Sequence, residues 1–108
     1  MNELERVLSL IESRIGQEED LAYWSYHRMR YERSANSILQ ATRGMKPQDV
    51  RILDIGSHYL QLSSILSELG FSVFGIDVEE FAESELCRKR AELGRIEIRT
   101  MGDGLETG

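Results

Sequence analysis

Two short apolar runs separated by a stretch of helical period constrain this chain more than any other feature. Val50-Arg51-Ile52-Leu53-Asp54-Ile55-Gly56 stops at a glycine, and Phe71-Ser72-Val73-Phe74-Gly75-Ile76-Asp77 stops at an acid. Runs of this length and composition suit strands buried on both faces of a parallel sheet. Between them Leu62, Ile65, Leu66 and Leu69 recur at helical spacing, and Gly70 closes the pattern. Glu79 to Leu93 predicts a charged helix with Ala82, Leu86, Arg90 and Leu93 on one side, closed by Gly94. Ile96-Glu97-Ile98-Arg99 predicts a third short strand. Alternating strands and helices imply parallel pairing, because each crossover helix returns the chain to the same end of the sheet. Right-handed crossovers predict the strand order 3-2-1, one mononucleotide-binding half of a doubly wound fold.

The part before Gly44-Met45-Lys46-Pro47 has a different period. Leu4, Val7, Leu8, Ile11 and Ile15 form one apolar helical stripe, ended by Gly16. A second helix is expected from Glu18 to Thr42, with Glu18, Glu19 and Asp20 favouring its positive end. Trp24, Tyr31, Ala35 and Ile38 share one face of it; Tyr23, His27 and Arg30 share a neighbouring one. The chain therefore divides into a helical segment, residues 1–44, and an α/β segment, residues 45–108.

Charge and composition exclude some partners. The net charge of −6 argues against a nucleic-acid backbone as the main partner. A single cysteine, Cys87, forms no internal disulfide and implies no oxidising compartment. No run approaches the ~20 apolar residues of a membrane span. The acids among Met1 to Ile15 do not fit a signal peptide. A cytoplasmic protein with no membrane partner is the expectation. His27, His58 and Cys87 lack metal-ligand spacing, so no metal is expected.

The predicted topology collects acids at three successive strand ends: Asp54 with Gly56, Asp77, and Asp103. Ligands of such folds sit beyond the carboxyl ends of the strands. An adenosine ligand needs close backbone approach after the first strand, which glycine permits. It needs a carboxylate after the second strand to accept from two ribose hydroxyls, and a polar group after the third for the adenine.

Ile52 to Gly56, Leu62 to Leu69 and Gly70 to Asp77 together resemble the opening motifs of class I, Rossmann-like S-adenosylmethionine-dependent methyltransferases. The resemblance covers roughly Tyr23 to Leu105 and is strongest from Arg51 to Asp77. It implies that Asp54, Gly56, Ser57 and His58 form the cofactor loop. It also implies that Asp77, followed by Val78, binds the ribose, and that Gly102-Asp103 supplies the acid beside the adenine. Tyr23-Trp24-Ser25-Tyr26-His27-Arg28 with Arg30-Tyr31 resembles the family's helix that covers the cofactor. The expected function is S-adenosylmethionine-dependent methyl transfer to an unknown acceptor. The catalytic residues are not legible. S-adenosylhomocysteine is the expected product ligand.

Two departures stand beside this. The family's loop alternates glycines as D-x-G-x-G-x-G, whereas His58 and Leu60 stand at two of those positions and are expected to crowd the ligand. The family also continues into four more strands, so the fold reads as truncated. A truncated or degenerate fold acting as a non-catalytic interaction module is therefore the alternative. A nicotinamide-dependent oxidoreductase fragment is a weaker third reading, because the loop lacks G-x-G-x-x-G. Asp54 and Asp77 also read as solvated strand-end acids or helix caps, Asp103 as a plain turn residue, His58 as an unspecialised loop histidine, and the aromatics of the second helix as core. With half a sheet missing, the first strand becomes an apolar edge, and a homodimer through that edge is expected.

Overall fold

In a computed structural model, residues 2–100 are described. They form α1 (Glu3–Ser13), α2 (Glu18–Ala41), a 3₁₀ turn (Pro47–Asp49), β1 (Arg51–Ile55), α3 (Gln61–Glu68), β2 (Ser72–Asp77), α4 (Glu79–Ala82), α5 (Glu85–Gly94) and β3 (Glu97–Thr100). The fold is mixed α/β with a three-stranded parallel sheet.

The strand order reads β1-β2-β3 rather than the expected 3-2-1. The two strings give the same neighbours from opposite edges, and β2 is the central strand. Register pairs Leu53 with Phe74 and Ile55 with Ile76, and then Phe74 with Glu97 and Ile76 with Arg99. Ile52, Val73 and Ile98 therefore share one face, and all three join the main core with Ile65, Leu66, Cys87 and Ala91. α3 packs on β2, and α5 packs on α3.

The opposite face is only partly covered. α4 packs on β2 and β3 near their carboxyl ends, where Ile76 and Ala82 are buried. Leu53 is 57% exposed and Ile55 69% exposed. The expectation that the first strand is buried on both faces is thus corrected. α4 packs on β2 and β3, which leaves this face of β1 without the second layer that a central parallel strand needs.

The front helices belong to the same core. Leu4, Val7, Leu8 and Ile11 of α1 and Trp24, Tyr31 and Ala35 of α2 cluster with the sheet's apolar residues. The Asn2 side chain caps α1 by accepting from the Glu5 N–H at 2.8 Å. The predicted helix from Glu79 to Leu93 is divided. Ser84 takes an N-cap conformation and accepts from the Cys87 N–H at 3.2 Å, so a new helix starts at Glu85. That helix ends on Arg95 in the left-handed region, one residue beyond the expected glycine. No helix among the described residues is long and apolar enough to cross a membrane.

Candidate functional site

The loop leaving β1 is built by its backbone. The N–H groups of Gly56 and Ser57 both donate to the Ile76 carbonyl, at 2.8 and 3.2 Å, and the Leu60 N–H donates to the Ser57 carbonyl at 2.8 Å. The turn demands left-handed backbone at every second residue: φ is +74° at Gly56, +45° at His58 and +58° at Leu60. Glycine adopts this freely; a residue with a Cβ does so at a cost of about 1–2 kcal/mol. The turn packs tightly on β2, since a Cβ at Gly75 would lie 3.1 Å from Leu60 Cδ2 and 3.2 Å from Ser57 Oγ.

Asp77 anchors this loop. Its Oδ2 accepts from the His58 N–H at 2.7 Å, and its Oδ1 accepts from the Val78 N–H at 2.6 Å. The residue is only 4% exposed. Carboxylates bound by backbone amides are strong acceptors, and each oxygen keeps a further lone pair. The His58 ring bends back over the same acid, with Nε2 3.7 Å from Asp77 Oδ2. Its Nδ1 is hydrogen-bonded to the Tyr23 hydroxyl of α2. Phe81 lies against the His58 ring at 4.9 Å between centroids, and Tyr59 meets Tyr23 edge-on at 4.9 Å.

Asp54 lies to one side of this group. Its Oδ2 accepts from the Ser63 hydroxyl at 2.6 Å. Burial raises its carboxyl above the ordinary 3.8, while the Ser63 hydrogen bond and the Arg30 charge pull it back down. Asp54 thus braces α3 against β1. Burial also raises the Tyr23 hydroxyl and the Cys87 thiol. The Cys87 thiol donates to the His58 carbonyl at 3.0 Å, which makes it a support for the loop from below.

The sequence-predicted site residues are thus divided. Asp54, Gly56, Ser57, His58, Asp77 and Val78 come together at the carboxyl ends of β1 and β2. Asp103 lies outside the described residues. Leu60 does not crowd the open side of the loop. It is buried, because the left-handed turn aims its side chain under the loop and into the core. Of the expected roof, the Tyr23 and His27 rings meet at 4.2 Å between centroids, tilted by 45°, whereas Tyr26 is largely exposed.

No protein-family model matches the chain, and no curated protein or solved structure is significantly similar to it.

A second polar network was not read from the sequence. Gln61 at the start of α3 donates from Nε2 to the Asp20 carbonyl at 2.8 Å and to Asp20 Oδ1 at 2.7 Å, and accepts from the Tyr31 hydroxyl at 3.0 Å. Arg90 of α5 forms a bidentate pair with Asp20, its Nη1 lying 2.9 Å from Oδ1, and it also donates to the Tyr59 carbonyl at 2.8 Å. Asp20 is 2% exposed. The signal was present, since Arg90 interrupts an otherwise apolar side of its helix. Asp20 presents in the sequence only as a charge that favours a helix end. Among the described residues no group of His, Cys, Asp and Glu side chains could hold a metal ion.

Proposed function

We infer that this chain is the S-adenosylmethionine-binding segment of a class I, Rossmann-like methyltransferase. One observation carries the reading. The loop after β1 takes left-handed backbone at residues 56, 58 and 60, the alternate positions where the methyltransferase loop has its glycines, and it closes against an acid at the end of β2. The backbone conformation thus follows the motif even where the side chains depart from it. A Cβ at Gly56 would meet nothing within 4 Å, so a ligand can approach the loop there.

In this reading the cofactor approaches the turn at Gly56, where no side chain stands in the way, and Asp77 uses its spare lone pairs to accept from the ribose hydroxyls. The Tyr23–His58 pair covers the same acid and moves aside to admit the ribose. Bound S-adenosylmethionine supplies an activated methyl group. Calorimetry tests the reading. S-adenosylhomocysteine is expected to bind in the micromolar range, and NADH not to bind. A folded protein that binds neither S-adenosylmethionine nor S-adenosylhomocysteine at millimolar concentration would overturn it.

One observation favours a second reading, a non-catalytic interaction module. Both oxygens of Asp77 already hold amide donors within the protein, and little of the residue reaches solvent. The β1 edge fits either reading as a contact for a second copy. On the bare sheet face β1 carries Leu53 and Ile55 beside Phe74, with one charge, Arg51, at its start, while β3 carries both Glu97 and Arg99. Charges guard an edge and apolar side chains invite pairing. Antiparallel pairing about a two-fold axis at Leu53 would set Leu53 against its copy. Sedimentation is expected to show a concentration-dependent dimer that Leu53→Lys with Ile55→Lys dissolves. A monomer at all concentrations would remove the edge as an interface.

A further inference from the structure

Away from the strand ends, a groove of about 330 Å³ opens over α3 between α1 and α5. Ile11 of α1 and Arg14 at its C-terminal cap line it on one side, Glu68 from α3, and Leu86, Lys89 and Leu93 from α5. Residues three and four apart share a helix face, so Leu86, Lys89 and Leu93 form one wall by spacing alone. Leu93 is 64% exposed. A lone surface leucine needs no explanation; here three apolar side chains from two helices converge on one cavity.

Charge and size decide what fits. The lining carries three cations, Arg14, Lys89 and Arg90, against one acid, Glu68, on a chain whose net charge is −6. Arg90 is committed to buried Asp20. Arg14 and Lys89 stand on opposite walls in exposed pairs, with Glu68 at 3.1 Å and Glu85 at 3.2 Å. Such exposed pairs contribute little and exchange readily for another anion. The volume lies at the lower end of small-molecule sites, roughly 300–1,000 Å³, and a helix of about 10 Å diameter would not enter. We propose that the groove binds a small amphiphilic carboxylate of the medium-chain fatty-acid type. Its alkyl chain lies against Ile11, Leu86 and Leu93, and its carboxylate sits between Arg14 and Lys89.

This site is independent of the strand-end reading and stands or falls separately from it. The test is a titration of the full chain with sodium octanoate, followed by amide chemical shifts. Saturable shifts are expected at the residues lining the groove, and octylammonium at equal concentration should leave them unmoved. Lys89→Glu, a change at an exposed position, should weaken octanoate by about tenfold, the effect of removing one charge contact and adding a repulsion. Glu68→Gln should tighten it by removing the competing acid. Equal shifts with octylammonium would show plain apolar adsorption and overturn the proposal. So would shifts centred on Leu53 and Ile55, or no saturable response.

Discussion

Arg90→Ala is expected to lower folding stability by about 3–5 kcal/mol, the scale for removing one partner of a buried ion pair. The cost comes from what is left behind. Asp20 would remain buried with its Gln61 contacts but without a counter-charge, and the Tyr59 carbonyl would lose its donor. Arg90→Lys should recover only part of the loss, because an ammonium cannot make the bidentate contact. Urea unfolding with an unchanged slope would measure the effect. A loss under about 1 kcal/mol would mean that water reaches Asp20 once Arg90 is gone.

Replacement of Asp77 should affect both the loop and the ligand. Asp77→Ala removes the acceptor of two backbone amides, each such charged hydrogen bond being worth about 1.5–3 kcal/mol. The turn at residues 56–60 should then loosen, and S-adenosylhomocysteine binding should fall below detection. Because loosening alone would also weaken binding, Asp77→Asn is the sharper variant. It keeps a carbonyl acceptor for one amide and loses the charge, so binding should weaken by about 10- to 100-fold while the fold persists. His58→Gly should act in the opposite direction. It keeps the N–H that Asp77 holds, relieves a strained left-handed residue and uncovers the acid. Unchanged affinity in a folded Asp77→Asn variant, with no gain in His58→Gly, would remove Asp77 from the binding surface.

The elements that were legible in the sequence share a physical cause. Period and punctuation are local, so the strands ending at Gly56 and Asp77 and the helices over Leu4–Ile11 and Leu62–Leu69 could be read directly. The break at Ser84 was missed because a serine inside a charged helical pattern looks like surface until its hydroxyl is seen to cap Cys87. The burial of Leu60 is hidden from the sequence for the same kind of reason. A left-handed turn redirects a side chain, and no periodicity reports it. The exposure of β1 depends on which layers surround it, and pattern alone does not contain that. Long-range pairs were least visible: Asp20 and Arg90 lie 70 residues apart, and although Arg90 stands out on an apolar helix side, nothing near it in the sequence names its partner.

The chain has one tryptophan, Trp24, fully buried, with its indole N–H donating to Glu12 Oε1 at 3.0 Å and its ring 5.9 Å from that of Tyr31. It sits where α1 and α2 join the common core, far along the chain from every strand. The molecule thus carries its own optical gauge of helix docking. Emission from this one indole follows the seating of the front helices on the sheet, and it would shift to longer wavelength if they lifted away while the parallel strands stayed paired.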